Sequence, residues 1–362
     1  MPDLVVAGAG MAGLVAAAEA RRLGAEPLVL EKLEQPGGSM RLSSGVIWRH
    51  RDFDRFRADC PGGEKRLQAR MYDRLDGDIR WLESLGAPVT ERETGNPLTT
   101  GARFDPERMT AALVKAAGGL SRTAGSGVRP GTPLTEPPDD APLVLATGGF
   151  GTSRELLHEL VTAEAHHVFI RAAPGATGDG LRLGQAAGAQ TSAGLDEVYA
   201  RLMPAPPAAI GPGDLVRLSQ LYARHATVTN ESGEQHTTHT WSEIDTAQWA
   251  ARQPRARAWL RVESDRLGER VRERRVGEMV DAAEAAGAPV RRAREHVTVE
   301  TVAGITTTLG GLAVDEHSEA APGVYACGAD AGGIATGGYT SGLAAALVFG
   351  RAAARAALGE AP

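Results

Sequence analysis

Three glycines and one acid give this sequence its first chemical reading. Gly8, Gly10 and Gly13 stand in a Gly-x-Gly-x-x-Gly pattern, with Glu31 further along. That spacing suits a dinucleotide. The first glycine permits a tight turn, the second lets backbone approach a diphosphate, and the third lets a helix pack closely on a strand. A helix start behind them favours phosphate charge, and Glu31 is placed to accept from ribose hydroxyls. Glycine is abundant along the whole chain, at 45 residues, whereas there are only six Phe, five Tyr and five Trp.

For this chemistry the fingerprint must join a strand to a helix. Residues 4–7 are a short apolar run, residues 14–23 have helical composition, and residues 27–30 predict a second buried strand ending at Glu31. Leu67, Met71, Leu75, Ile79 and Leu82 recur at helical spacing and predict an amphipathic helix over 66–85. Residues 104–117 predict another, with Asp105 as N-cap before Pro106. Five prolines make 128–142 a loop, after which 143–146 predict a strand running into Thr147–Gly148–Gly149. The style changes near Thr152 and the glycine-rich style returns near Thr301. Between them, residues 260–286 predict a long charged helix. The pattern predicts one domain in two parts, 1–152 and 299–362, interrupted by another over 153–298.

Composition narrows the class of function. At 362 residues the chain is long enough for about two domains, and 42% hydrophobic with 23% charged residues is ordinary globular composition. The net charge of −6 gives no electrostatic case for nucleic acid. Two distant cysteines, Cys60 and Cys327, fit a reducing compartment and are too few for an iron–sulfur cluster. Arg351 and Arg355 interrupt the last apolar run, which argues against a membrane span. His166 and His167 are adjacent and do not share a helix face, so no metal is assigned. The expectation is a soluble cytoplasmic protein.

Further motifs carry a resemblance. GAGMAGLVAAAEA, VLEKLEQPGGSM, LVLATGGFG, GATGDGLRLGQAAGA, TLGGLAVD and VYACGADAGG…SGLAAALVFGRAA occur in that order across residues 4–356. This set resembles the FAD-dependent fumarate reductase/succinate dehydrogenase flavoprotein-like family, whose relatives include 3-ketosteroid 1-dehydrogenases and tricarballylate dehydrogenases. The resemblance implies an α/β fold: a Rossmann-like, glutathione-reductase-like FAD-binding domain interrupted by a smaller α+β cap, or substrate, domain. It implies that Gly8, Gly10, Ala12, Gly13, Glu31 and Lys32 hold the ADP half. Gly38 and Ser39 would lie along the diphosphate and ribityl chain, with Ser43, Ser44 and Gly45 near the flavin edge. Ala146, Thr147 and Gly148 would flank the cofactor, and Asp330 would bond the ribityl hydroxyls. Ser341 opens the last helix, where Gly342 and Leu343 would offer backbone N–H groups to the flavin O2. No histidine precedes Gly37–Gly38, so the FAD is expected to be non-covalent.

The resemblance breaks where the fumarate-reducing members clamp a dicarboxylate. Read from the shared motifs, those positions carry Met203, Leu218, Glu243, Thr307 and Tyr339. Without the two Arg and two His, a dicarboxylate would be left unpaired in a dry site. Met203, Leu218, Thr307 and Tyr339 are therefore the candidate substrate contacts, and a neutral small molecule is expected. By resemblance to the ketosteroid branch, Tyr339 and the amide at Gly342 would polarise a ketone. The base that removes the α-proton would come from the cap domain. Its candidates are Tyr222, His225, His236, His239 and Glu243. The expected activity is desaturation next to a carbonyl. Alternatives are reduction of an activated C=C bond, or a non-redox or accessory flavoprotein. The sequence leaves the electron acceptor open.

Overall fold

The computed structural model describes residues 2–121 and 125–360. It divides into two compact units. One comprises Met1–Ser153, Ala173–Glu197 and Thr307–Pro362, and the other Arg154–Ala172 and Val198–Thr306. The expected middle segment, 153–298, differs from this division chiefly at 173–197, which belongs with the first unit.

Six strands form the first unit's main sheet. In spatial order they are Glu319–Ala321, Val324–Ala326, Leu143–Leu145, Leu4–Ala7, Pro27–Leu30 and Gly127–Arg129. All neighbours are parallel except the first pair. Leu4–Ala7 is buried at every position, as a central parallel strand covered on both faces must be. The helix Met11–Arg22 follows at once and is buried from Met11 to Ala20. It packs against the last helix, Gly342–Ala357, and the fit is close. A Cβ on Gly350 would sit 2.6 Å from the Ala12 carbonyl oxygen. The predicted stripe Leu67, Met71, Leu75, Ile79 and Leu82 is buried along the helix Lys65–Ser84. Asp105 caps the helix Pro106–Ala116, accepting from the Arg108 N–H at 2.8 Å. A three-stranded antiparallel sheet, Val46–His50, Thr99–Phe104 and Val89–Glu91, completes the unit.

The second unit is built on a seven-stranded sheet whose longest member is His296–Thr308. Arg257–Glu263 and Val290–Arg292 flank that strand in antiparallel register. Here the expected helix over 260–286 fails. Residues 257–263 form a strand in which Ala258, Leu260 and Val262 alternate inward, and the α-helix of this stretch is confined to Val276–Ala285. The loop expected over 128–142 likewise begins inside the strand Gly127–Arg129. Among the described residues, no helix is long and apolar enough to cross a membrane.

One buried ion network ties the helices of the first unit. The Glu19 side chain has no exposed surface and meets Arg22, Arg351 and Arg355, the last at 2.7 Å. Arg351 also pairs with Asp78 and stacks over the Trp81 ring. Burial alone would raise the Glu19 carboxyl, but the three guanidinium groups outweigh it and lower it to about 2 from 4.5. A carboxyl lowered on folding contributes stability above its unfolded value and loses it as pH falls. Glu19→Gln is therefore expected to destabilise the protein by about 3 kcal/mol in urea titration at pH 7. The gap to the parent should close as the pH is lowered from 4.5 toward 2.

Candidate functional site

The glycine fingerprint lies between the strand Leu4–Ala7 and the helix Met11–Arg22, and its three glycines do different things. Gly8 has φ +102°, and a Cβ there would lie 2.3 Å from the Ala146 carbonyl oxygen. A Cβ on Gly13 would meet the Gly8 carbonyl oxygen at 1.9 Å. Gly10 differs, because a Cβ there would meet nothing within 4 Å. A Cβ on Gly38 would lie 3.4 Å from the Gly10 Cα, so these two glycines border the same open space. The helix behind Gly10 has neither a side-chain cap nor an acidic residue in its first turn. Its leading N–H groups, including that of Ala12, are free of competition for an anion.

Around this space the structure places the other candidates. Glu31 is buried and already accepts from the Ala9 N–H at 2.6 Å and the Leu33 N–H at 2.8 Å, which fixes its carboxylate beside the glycine loop. Each oxygen keeps lone-pair capacity for a ribose hydroxyl. Lys32 turns elsewhere: its ammonium meets Thr177 at 2.6 Å and Asp179 at 2.9 Å. The Ser39 hydroxyl accepts from the Ala173 N–H at 2.9 Å. Ser43 closes a local turn, bonding the Met40 carbonyl and the Gly45 N–H, whereas Ser44 is exposed. Gly45 is required by the fold, since a Cβ would meet the Phe104 carbonyl oxygen at 2.0 Å.

Asp330, expected near a ribityl chain, is engaged with the chain itself. Its side chain is buried beneath the loop after Leu143–Leu145, accepting from the Thr147 and Gly149 N–H groups and the Thr147 hydroxyl. Burial raises this carboxyl, against the pull of those donors. Thr147 in turn accepts from the Gly180 N–H at 2.9 Å. Gly148 lies at φ +97° in the same loop, and Ala146 is buried at its start. Sequence reasoning missed this brace. The signal was present in the segment Gly175–Gly180, which supplies Thr177, Asp179 and Gly180.

The start of the last helix offers donors. Ser341 caps it, accepting from the Ala344 N–H at 3.3 Å. Gly342 is exposed and Leu343 half-exposed, and neither N–H has a carbonyl four residues back within the helix. Just ahead stand Tyr339, half-buried, and Thr340, whose buried hydroxyl has no hydrogen-bond partner among the described residues. The Tyr339 ring meets Trp48 edge-on at 5.5 Å, and Trp48 meets His50 at 5.4 Å. The Tyr339 N–H bonds Cys60, whose thiol burial pushes up to about 12. Thr307 is half-buried beside Thr308, whose buried hydroxyl also has no partner among the described residues.

In the second unit, the remaining candidates separate. Met203 and Leu218 are completely buried, so neither presents a surface to substrate. Tyr222 is also fully buried, and its hydroxyl has no hydrogen-bond partner among the described residues. Burial and the nearby Glu243 charge raise the phenol strongly. His239 is exposed and stands edge-on to His236 at 6.1 Å. His236 stacks on Trp249, and burial lowers it despite Asp245 at 3.4 Å. His225 is half-buried in a short turn.

Glu243 is the strongest acid–base candidate in this unit. Its backbone is left-handed at φ 59°, a conformation that a non-glycine residue holds only when its surroundings enforce it. Its carboxylate accepts from the Arg224 N–H at 3.2 Å. Burial raises it, while Arg201 and the Arg224 and Ala223 amides pull it down. Arg201 was missed in the sequence; a lone arginine in the apolar run Val198–Pro204 was the available signal. Arg201 bonds Tyr199 and the Ser242 carbonyl. Arg171 bonds Thr306, Ser219 and the Leu215 carbonyl. Both guanidinium groups thus hold hydroxyls and carbonyls of their own unit. Among the described residues, no three His, Cys, Asp or Glu side chains are grouped to hold a metal ion.

Comparison with known proteins shows the family and the fold. The family described as FAD binding domain matches residues 3–137 and 105–343. A vinyl phenol reductase of Lactiplantibacillus plantarum is 26% identical over 231 residues, covering 52% of this chain and 46% of that protein. The chain thus matches about half the length of this curated relative. Among solved structures, the open conformation of a flavocytochrome c3 fumarate reductase superposes with TM-score 0.72 at 19% identity, covering 99% of this chain and 78% of that one. A 3-ketosteroid-delta4-(5alpha)-dehydrogenase from Rhodococcus jostii RHA1 gives 0.68 at 18% identity, with 99% and 96% covered. These likenesses show the α/β flavoprotein fold.

The three glycines make a testable contrast. Gly10→Ala should leave the melting temperature of the cofactor-free protein within about 1 °C, because the methyl enters open space, yet weaken FAD binding at least about tenfold by flavin fluorescence titration. Gly13→Ala should instead destabilise the fold itself.

Proposed function

This chain belongs to the FAD-binding-domain family, with FAD as its cofactor, and from that premise we propose a dehydrogenase that introduces a C=C bond next to a carbonyl. The open space bordered by Gly10 and Gly38, the uncapped helix start and the unpartnered hydroxyls of Thr308 and Thr340 fit such a dinucleotide. Gly10, Gly38 and the leading amides of the helix Met11–Arg22 would hold its diphosphate, and Glu31 its ribose. FAD, when bound, supplies a hydride acceptor at N5.

The observation that carries the reading is the stretch from Gly337 to Leu343. It places a phenol three residues ahead of the helix-start amide of Gly342 and contains no charged residue. The Tyr339 hydroxyl and the Gly342 N–H would donate to a substrate carbonyl oxygen and stabilise the enolate that forms when the α-proton leaves. Trp48 and Cys60 fix the ring and the backbone of Tyr339. The α-proton would go to a base, for which Glu243, raised by burial, is the second unit's candidate, and bound FAD would supply the acceptor for the β-hydride. A neutral, largely apolar substrate is supported by the absence of Arg and His at the clamp positions, which carry Met203, Leu218, Glu243, Thr307 and Tyr339, and by the engagement of Arg171 and Arg201 within their own unit. We assign the redox partner no identity beyond an electron acceptor.

The match to a vinyl phenol reductase favours a second reading, in which the same groups run in reverse and reduce an activated C=C bond. Tyr339 would then still hold an oxygen, and Glu243 would return a proton.

Anaerobic stopped-flow measurements separate the two. Cyclic ketones should bleach the oxidised flavin under the first reading, whereas a vinyl phenol should reoxidise dithionite-reduced enzyme under the second. Turnover of fumarate faster than of any cyclic ketone would sink the neutral-substrate reading. Tyr339→Phe should lower kcat/KM about a hundredfold with FAD content unchanged, and a loss below about threefold would remove it as an oxyanion donor. For the parent, kcat/KM should rise through an apparent pKa above that of an ordinary glutamate, and Glu243→Gln should abolish that limb.

A further inference from the structure

The ion network of the first unit has a cationic surplus that the fold does not use. Arg70 and Arg74 lie one turn apart on the helix Lys65–Ser84, and Arg351 and Arg355 one turn apart on the last helix. Together with Asp78, Val348 and Ala352 these four line a small, partly open cleft. Two of them are engaged: Arg351 with Glu19 and Asp78, and Arg355 with Glu19. Arg70 and Arg74 make no ion pair and no side-chain hydrogen bond among the described residues, and the Arg70 Nε is buried without an acceptor. The nearest further acid acting on Arg70, Glu316, already pairs with Arg66 at 3.5 Å. Burial and the neighbouring Arg74 charge lower the Arg70 guanidinium. Four guanidinium groups against the two carboxylates of Glu19 and Asp78 therefore leave net positive charge and an unfilled donor at this cleft.

We propose that this cleft between the helices Lys65–Ser84 and Gly342–Ala357 is an oxyanion site that takes a phosphate group, with Arg70 and Arg74 as its principal donors. A phosphate matches the forked geometry of guanidinium groups and accepts several N–H donors at once. Its charge neutralises the pair of arginines that otherwise repel each other across one helical turn. The Trp81 ring, over which Arg351 lies at 4.5 Å, keeps that guanidinium in place beneath the cleft.

Equilibrium dialysis of the FAD-loaded full chain against radiolabelled inorganic phosphate tests this, with ionic strength held constant by chloride. One saturable phosphate per chain is expected, with half-saturation below about 10 mM. The R70Q/R74Q double variant should weaken it at least about tenfold, whereas R66Q, on the same helix but outside the cleft, should leave it unchanged. Equal binding by parent and double variant, or no saturable binding by the parent, overturns the proposal. Should the double variant not fold, R74Q at an exposed position carries the test, with at least about threefold weakening expected and an unchanged affinity counting against the site. ADP competing about tenfold more tightly than phosphate would identify a nucleotide phosphate as the ligand, and weaker competition would identify the free ion; either sustains the site.

Discussion

Close approach of backbone to backbone is the constraint on which the first unit depends. Gly13 lies against Gly8, Gly8 against Ala146 and Gly350 against Ala12, each at a distance that no side chain permits. These contacts bring the loop after Leu4–Ala7, the loop after Leu143–Leu145 and the last helix into one compact arrangement. The open space beside Gly10 exists because its neighbours are packed so tightly. Moving any one of these segments outward by the width of a methyl would displace the helix-start donors that face that space. The buried Glu19 network then locks the two helices from their outer side.

Much of this was legible because it rests on local patterns. Leu4–Ala7 and Pro27–Leu30 are continuous apolar runs of strand length, and both are parallel strands. The stripe from Leu67 to Leu82 has helical spacing and lies on a helix, and Asp105 before Pro106 is a cap. Residues 257–263 misled because their charges mask an alternation of Ala258, Leu260 and Val262 toward the core. A period of two, interrupted by arginines, reads as a solvated helix when the charges are weighed above the spacing.

The site was legible in part, for a different reason. Residue types that a dinucleotide requires are visible along the chain, but the direction of a side chain depends on partners far away in sequence. Asp330 closes a strand in an expected place, yet its carboxylate turns inward because the Thr147 and Gly149 amides lie there unpaired without it. Tyr222 and Glu243 look equivalent as candidate bases in the sequence. Enclosure separates them: it raises the phenol, already far above neutrality, further out of reach, while it brings the carboxyl up from its ordinary acidic value. Arg201, beside Glu243, carried no motif at all.

The inward turn of Asp330 has a consequence for how the cofactor is received. Its oxygens fasten Thr147 and Gly149, and Thr147 fastens Gly180, so two loops bordering the glycine fingerprint are held without any ligand. A segment already ordered loses little conformational entropy when a ligand arrives, so more of the contact energy appears as affinity. The Asp330 carboxylate thus acts in advance of the cofactor, as an element of preorganisation.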